Sequence, residues 1–370
     1  MISKVGAMSN TKNEIRGCID IGSSYFRLLV VRGLFPSADI SSAAPRSGSG
    51  VLRGSSPVIP GGGTEVFLQH ESRRYLGWGD DLQKYGSIPG RRIDDAAAAL
   101  KGLKDEAGSL GCRSLYIVAT NTLRAAKNRK EIIEKFRESV KLPVSILTYM
   151  GEAALGLSGA AMLLESSGDI LFADPGGTST EVAWSRGGLI DGFFRYPHGT
   201  HSVRSMILRN RRGPSFPDQI RKLPGTAARG LKYRLGSYRE GSDSNSVDHS
   251  LLPEGLESPT ILFTGGTAIS LAVVLGYMKR RSPGFTELAE VTRGDLGLIS
   301  RRLAGLFSRG RQKSLPLAAE RIELIVPGLI LVQALMNRLG INSYRAVTRD
   351  LRWGVILSGG RMPGGYCVNE

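Results

Sequence analysis

One short pattern occurs twice in this chain: an acid at the end of an apolar run, then small residues, then a second apolar run. The first copy is GCIDIGSSYFRLLVV, Gly17–Val31, and the second is DILFADPGGTSTEVAW, Asp169–Trp184. The two acids, Asp20 and Asp174, are 154 positions apart. Each copy predicts a β-hairpin with its acid beside the bend. A chain that repeats such a unit is expected to contain two related halves.

The segments that follow each hairpin also alternate between strands and helices. In the first half, a strand runs into one long charged helix over 114–140, and a Gly/Ala-rich helix begins near residue 151. In the second half, TILF precedes a glycine turn and a helix, and a long apolar helix covers 320–340 before a strand and a last helix. The repeated units favour an α/β fold of two related domains, 1–150 and 151–370, that face a cleft.

The composition is that of a globular protein large enough for two cores. The 370 residues are 41% hydrophobic, and their apolar runs are too short or too interrupted to span a bilayer. The first ten residues lack the apolar stretch of a secretory signal. The three cysteines, Cys18, Cys112 and Cys367, are odd in number and unpatterned, which is typical of free thiols in a reducing cytoplasm. We therefore expect a cytoplasmic protein.

The chain is strongly basic, with 49 Lys and Arg against 33 Asp and Glu and a net charge of +16. Such an excess attracts polyanions such as nucleic acid, anionic lipid, nucleotides or polyphosphate, and composition alone does not choose among them. Ten basic residues lie in the segment 204–239 with a single acid, Asp218. This segment, the basic tract, is either a track for a long polyanion or a solvated surface. The segment 37–63 is rich in Ser, Gly and Pro and predicts a loop.

The residues at the two hairpin bends suit the binding of a phosphate group. Small residues let an anion approach the backbone, and successive amides at a glycine turn can point towards it. These positions are Gly22, Ser23 and Ser24 in the first bend and Gly176, Gly177, Thr178 and Ser179 in the second. Asp20 and Asp174 could each hold Mg²⁺ through water. A plain β-turn explains one such corner well, but two equivalent corners favour an anion cleft, which a third glycine turn, Gly265–Gly266, would close on another side.

Six ordered segments resemble the exopolyphosphatase/guanosine pentaphosphate phosphatase (Ppx/GppA) family. They are DIGSSYFRLLV, ATNTLRAAKN, YMGEAALGLSGA, ADPGGTSTEV, FTGGTAISLA and, near the end, RIELIVPGLILVQALMNRLG with VTRDLRWGVIL. The resemblance covers nearly the whole chain and is to a short form of the family without its C-terminal helical extension. It implies two ribonuclease H-like domains of the actin/Hsp70/sugar-kinase superfold, each of which contributes one phosphate-binding hairpin to the interdomain cleft.

The resemblance also implies roles for individual residues. Glu152 matches the glutamate that activates the attacking water, although on the residues alone a solvated carboxylate in a first helical turn would be the preferred interpretation. Arg124 matches an arginine that contacts the substrate's phosphates. Glu181 is expected to place the metal, Mg²⁺, together with Asp20 and Asp174. Phosphate contacts are implied for the three glycine turns and for one further loop: Gly22, Ser23, Ser24, Gly176, Gly177, Thr178, Ser179, Gly199, Thr200, Gly265 and Gly266.

Some positions depart from the family pattern. Ser24 replaces an asparagine, Thr178 replaces a glycine, and Pro175 removes a backbone amide from the second bend. His198 and His201 lie in the loop that resembles one near the cleft, but no further Cys or His cluster supports a metal site there.

The resemblance implies a phosphohydrolase, and inorganic polyphosphate is the first substrate because a charge of +16 suits a long polyanion. Guanosine pentaphosphate (pppGpp) is a close second, and a non-catalytic polyphosphate or nucleotide sensor is an alternative. A sugar or carboxylate kinase of the same superfold is another. A nucleic-acid binder is the weaker case, since the basic tract contains only three aromatic rings. No membrane partner is expected, and homodimerisation rests on the resemblance alone.

The basic tract generates a test of its own. If it is a track for a long chain, reversing the charge of four of its arginines should raise KM for long polyphosphate and spare short chains, because contacts to a polyanion add along its length. Steady-state kinetics on polyphosphates of two lengths measure this. An equal change in KM for both lengths would contradict the track hypothesis.

Overall fold

The computed structural model describes residues 11–36, 66–165, 168–209, 256, 258–279, 285–362 and 364–368. The loop predicted over 37–63 and the basic tract from residue 210 onward lie outside the described residues.

Five strands form the first sheet, in the order β3-β2-β1-β4-β5. Their bounds are β1 (Thr11–Ile21), β2 (Tyr25–Pro36), β3 (Val66–Tyr75), β4 (Ser114–Ala119) and β5 (Ser145–Ile146). The first three strands are antiparallel, and β4 and β5 extend the sheet in parallel from β1. The predicted hairpin is therefore present, and its two strands lie in the interior of the sheet.

Six strands form the second sheet, in the order β10-β11-β9-β6-β7-β8. Their bounds are β6 (Ile170–Pro175), β7 (Thr180–Arg186), β8 (Leu189–Tyr196), β9 (Thr260–Phe263), β10 (Ala289–Thr292) and β11 (Ser343–Ala346). Strands β6, β7 and β8 are antiparallel, and β9 and β11 follow in parallel. This is the connectivity of the first sheet with one more edge strand, so the predicted fold class of two repeated α/β units is confirmed.

Ten α-helices are described. They are α1 (Trp78–Tyr85), α2 (Gly90–Ser109), α3 (Asn121–Ala125), α4 (Arg129–Val140), α5 (Tyr149–Ala161), α6 (Thr200–Arg209), α7 (Gly265–Met278), α8 (Arg293–Ser308), α9 (Ala319–Arg338) and α10 (Leu351–Leu357). One core lies between the first sheet and α2 and α4, and another between the second sheet and α6 to α9. In the part of the chain that the structure describes, no helix is both long and apolar enough to cross a membrane.

The prediction of one long charged helix after β4 is wrong in one respect: the segment forms two helices, α3 and α4. The backbone is extended at Ala126. The side chain of Asn128 then forms two hydrogen bonds with Ile88, in the loop between α1 and α2. Its Oδ1 accepts from the amide of Ile88 at 3.1 Å, and its Nδ2 donates to the Ile88 carbonyl at 2.8 Å. These two hydrogen bonds compete with helical continuation, as asparagine side chains commonly do.

A third core lies between the two sheets, where α5 crosses α10. Helix α5 packs against the second sheet, whereas α10 packs against β1 and β2 of the first. A Cβ at Gly159 would lie 2.1 Å from the carbonyl oxygen of Asp350, and one at Gly354 would lie 2.1 Å from that of Leu155. Only glycine at both positions allows the backbones of these helices to approach so closely. The predicted domain boundary after residue 150 falls within α5 and stays a prediction.

This crossing can be tested by a single methyl group. Gly159→Ala must push α5 away from α10, and we expect the free energy of unfolding to fall by about 1–3 kcal/mol in urea denaturation. Gly102→Ala is the matched control, because Gly102 is exposed on α2 and a Cβ there meets nothing within 4 Å. The control should be neutral or stabilising by up to about 1 kcal/mol. An unchanged stability of Gly159→Ala would contradict the close approach.

Candidate active site

The two hairpin bends have the same local geometry. Pairing of β1 with β2 places Asp20 opposite Arg27, and pairing of β6 with β7 places Asp174 opposite Glu181. In each bend a glycine amide closes the turn by donating to the carbonyl three residues later, at 3.0 Å in both cases. The repeat in the sequence is thus a repeat of backbone geometry.

A single cleft brings the two bends together with the third glycine turn. Its lining includes most of the predicted site residues: Asp20, Gly22, Ser23, Ser24, Glu152, Asp174, Gly176, Gly177, Thr178, Ser179, Glu181, Thr200, Gly265 and Gly266. Arg124 and Gly199 are the predicted residues that do not line it. A Cβ at Gly199 would lie 2.4 Å from the amide nitrogen of Thr178, so Gly199 packs beneath the second bend. Arg124 is hydrogen-bonded to Glu152, which does line the cleft.

Asp20, the acid of the first bend, is fully buried. One of its carboxylate oxygens, Oδ2, accepts from Arg27 Nε at 3.0 Å and also from Arg27 Nη2. Its other oxygen, Oδ1, is buried and has no hydrogen-bond partner in the described part of the protein. Burial lowers the pKa of Arg27, but the carboxylates of Asp20, Asp350 and Asp174 outweigh burial and raise it above its ordinary value. The Arg27 guanidinium therefore stays charged.

Asp174, the acid of the second bend, is poorly compensated. Burial, together with the nearby carboxylates of Glu181, Asp350 and Asp20, outweighs the attraction of Arg27 and raises the pKa of Asp174 to about 7. The third glycine turn approaches this side chain closely: Gly265 has φ +80°, and a Cβ there would lie 2.2 Å from Asp174 Oδ1. Only glycine fits this position.

Glu152 enters the cleft from the first turn of α5, whose N-cap Thr148 accepts from the amide of Gly151. Its Oε2 accepts from Arg124 Nη2 at 2.5 Å, and Arg124 also stacks over the ring of Tyr149 at 3.7 Å. Burial and the carboxylate of Glu181 raise the pKa of Glu152 well above its ordinary value, despite the nearby guanidinium. Glu152 is thus a buried carboxyl group with raised proton affinity, as a general base in a cleft should be.

Glu181 lies beside Glu152 and is held by the second bend. Its Oε1 accepts from the hydroxyl of Ser179 at 2.6 Å. Burial raises its pKa, while the Ser179 hydrogen bond and the cations of Arg124 and Arg195 lower it in part. Two neighbouring carboxylates with raised pKa values favour a cation or a proton between them.

Sequence reasoning missed two contributors to the cleft, Arg321 and Asn121. Arg321, in the first turn of α9, lines the cleft beside Gly266 and, among described residues, has no carboxylate partner. Asn121 also lines the cleft and donates to Thr178 Oγ1 across it at 2.7 Å. Arg321 follows an ordinary helix start, and no local pattern indicates that its side chain turns towards the two bends.

The acids present fit a magnesium ion held in part by its substrate. Asp20 has one buried oxygen without a partner in the described part of the protein, and the pKa of Asp174 is raised by burial and by nearby carboxylates. Within the described ranges, however, no group of three or more His, Cys, Asp or Glu residues could hold an ion alone. Mg²⁺ commonly takes one or two carboxylates and completes its shell with water and phosphate oxygens. Asp20 and Asp174 would supply those carboxylates.

The repeated sheets and the shared cleft between two hairpin bends define an α/β protein of the actin-like superfold. A crystal structure of the Ppx/GppA family member from Aquifex aeolicus superposes with a TM-score of 0.66 at 20% identity, covering 94% of this chain and 97% of that one. Exopolyphosphatase 2 of Mycobacterium tuberculosis is 24% identical over an alignment that covers 92% of this chain and 97% of that protein.

A guanosine-5'-triphosphate,3'-diphosphate pyrophosphatase of Pseudoalteromonas atlantica is 25% identical over 182 residues, 49% of this chain and 31% of that protein. The model of the Ppx/GppA phosphatase family matches residues 64–224. Over this segment the chain is similar to the Ppx/GppA phosphatase family, and the solved structures of that family share its fold.

The raised pKa of Asp174 predicts a pH effect on stability. The folded protein binds this proton with a pKa of about 7, whereas an unfolded aspartate titrates near 4. Between these values the folded state binds more protons, so the free energy of unfolding falls as pH rises through the window.

Asp174→Asn should remove this loss and stabilise the metal-free protein by about 1–3 kcal/mol at about pH 8, with little effect at about pH 4. Urea denaturation with a chelator present measures it. Asp95→Asn, on the exposed face of α2, is the control and should leave stability close to wild type. An Asp174→Asn variant with the pH dependence of wild type would contradict the assigned environment.

Proposed function

We propose that the protein is an exopolyphosphatase-type phosphohydrolase that releases terminal phosphate from inorganic polyphosphate by water attack, assisted by Mg²⁺. The observation that carries this proposal is the convergence of two equivalent acid-and-glycine bends and one buried glutamate on a single cleft. The match of residues 64–224 to the Ppx/GppA family model and the exopolyphosphatase among the relatives support it. We also propose that it acts in the cytoplasm.

The two bends are built to hold the terminal phosphoryl group. The amides of Ser23, Gly177 and Thr178 make no hydrogen bond to the protein in the described ranges, so they remain available as donors. Arg321 adds a guanidinium at the third side of the cleft. Donors arranged before the reaction stabilise the charge of the equatorial oxygens as the leaving bond breaks.

Glu152 would act as the general base. Its carboxylate accepts a proton from water and orients that water for attack on phosphorus. Arg124 holds one carboxylate oxygen of Glu152 in place at 2.5 Å and leaves the other free for water. In this arrangement Arg124 positions the base, whereas the resemblance had implied a direct contact with phosphate.

Bound Mg²⁺ would neutralise charge on the phosphate oxygens. Asp20 and Asp174 would hold it from the two facing bends. The excess of buried carboxylates in the protein alone supports this role, since a bound cation would relieve their mutual repulsion.

The proposal is tested by phosphate release from long polyphosphate and from pppGpp, measured side by side with Mg²⁺. We expect release from polyphosphate by wild type and a loss of about 10²–10⁴-fold in Glu152→Gln, because the amide cannot accept the proton. Glu138→Gln, on the exposed face of α4, is the matched control and should keep wild-type activity. Release from pppGpp alone would reassign the substrate. Tight polyphosphate binding without release from either would favour the sensor.

A further inference from the structure

Ser24, in the first bend, faces the cleft and is hydrogen-bonded to a histidine from the other half of the chain. Its Oγ lies 2.8 Å from Nε2 of His201, which is in the first turn of α6. The other ring nitrogen of His201, Nδ1, lies 3.3 Å from Oδ1 of Asp80, an ion-pair contact just outside full hydrogen-bond geometry. A hydroxyl, an imidazole and a carboxylate are therefore in line, with the hydroxyl at the phosphate-binding end.

Backbone hydrogen bonds fix Ser24 and His201, whereas the Asp80 side chain is 55% exposed. The Ser24 carbonyl accepts from the amides of Leu76 and Gly77 at 2.8 and 3.1 Å, which ties the bend to the segment that leads into Asp80. The amide of His201 donates to the Gly177 carbonyl at 2.7 Å, which ties the ring to the second bend. His201 is only 3% exposed, so its ring is enclosed. The alignment of the Ser24 hydroxyl with the His201 ring therefore does not depend on an exposed side chain.

The position of the Asp80 carboxylate indicates which group donates in the hydrogen bond between Ser24 and His201. Asp80 favours a proton on Nδ1 of His201, and interaction with His201 in turn holds the pKa of Asp80 below its ordinary value. Nε2 is then the acceptor, so Ser24 donates its proton to the ring and presents oxygen lone pairs to the cleft. Such a serine is poorly suited to donate a hydrogen bond to phosphate. It is suited to attack phosphorus, since a nucleophile within reach of a base that a third group orients is the arrangement of covalent catalysis.

We propose that Ser24 is a nucleophile that accepts the terminal phosphoryl group, with His201 as its base and Asp80 as a positioning residue. The inference rests on the proposed phosphohydrolase function and adds a covalent intermediate to it. The Ser24 Oγ–P bond forms, the bond from phosphorus to the bridging oxygen of the substrate breaks, and the Ser24 proton passes to His201. The shortened substrate leaves with the electron pair of the broken bond and takes that proton.

In the second half-reaction, water attacks the phosphoserine. Glu152 accepts the water proton, the new P–O bond forms, and the bond to Ser24 Oγ breaks. Ser24 regains a proton through His201, which receives it from the solvent-exposed side of the cleft, and Glu152 releases its own to solvent. The sum is hydrolysis of one phosphoanhydride bond, with no further reactant required.

The direct test is to look for phosphate on Ser24. Glu152→Gln should still be phosphorylated by polyphosphate but should hydrolyse the phosphoserine slowly, so it should gain the mass of one phosphoryl group, which peptide mapping places on Ser24. Wild type, quenched in acid before the first turnover is complete, should show the same peptide, because phosphoserine survives acid. The acid quench keeps the test valid if Glu152→Gln does not fold.

Matched variants separate the nucleophile from its neighbours. In the Glu152→Gln background, Ser24→Asn should remove the label, whereas Ser109→Ala, at an exposed serine that ends α2, should keep it on Ser24. His201→Gln, which can accept the Ser24 hydrogen bond but cannot take the proton, should slow labelling by at least about tenfold. Asp80→Asn should shift the pH profile of labelling, an effect that a purely structural contact would not have.

The outcomes distinguish the two proposals. If wild type releases phosphate but Ser24 stays unlabelled in both Glu152→Gln and quenched wild type, water attacks directly and the covalent inference is wrong while the hydrolase stands. If wild type releases no phosphate from any substrate, the proposed function fails first, and the inference fails with it.

Discussion

Arg27 connects the first bend to the segment before the last helix through buried ion pairs. Its guanidinium bridges Asp20 on β1 and Asp350 immediately before α10, with Nη1 donating to Asp350 Oδ2 at 3.0 Å. Asp350 also accepts from Arg352 and caps α10. Carboxylates as buried as these cost several kcal/mol each unless they are paired and hydrogen-bonded. Because one cation serves acids from both ends of the chain, the first bend and the last helix are fixed in one geometry.

The same arrangement leaves the opposite side of the cleft short of positive charge. Arg27 is paired with Asp20 and Asp350, and Arg124 with Glu152, so Asp174 and Glu181 have no ion pair with any other described residue. A stability-optimised protein would not bury carboxylates in this way. Strain of this kind is expected where a ligand completes the site, and it marks the functional end of the fold.

The sequence predicts well what is local and repeated. Both hairpins, the third glycine turn and the fold class follow from residues that are adjacent in the chain, and periodicity and turn chemistry are local properties. The acids of the bends follow for the same reason. The division of the helix after β4 does not follow, because it depends on how Asn128 bonds to a loop that lies 40 positions earlier.

Contacts across the cleft could not be predicted from one sequence. Ser24 and His201 are 177 positions apart, and neither the replacement of an asparagine nor a histidine in a Gly-Thr-His segment indicates that the two side chains meet. Arg124 lies in a segment whose family resemblance implies phosphate contact, yet its guanidinium is paired with Glu152. Arg321 reaches the cleft only because α9 starts beside the third glycine turn. Each depends on how the halves face one another, and this is set by the packing of α5 against α10.

The central claim is that the two bends clamp one phosphate-like anion between them. A crystal of the metal-loaded protein soaked with tungstate, a heavy tetrahedral anion, tests it by locating the anion from its anomalous signal. We expect one strong peak between Gly22–Ser24 and Gly176–Ser179, within hydrogen-bond distance of backbone amides from both bends. A peak that contacts only one bend, or binding confined to surface arginines, would contradict a shared phosphate site.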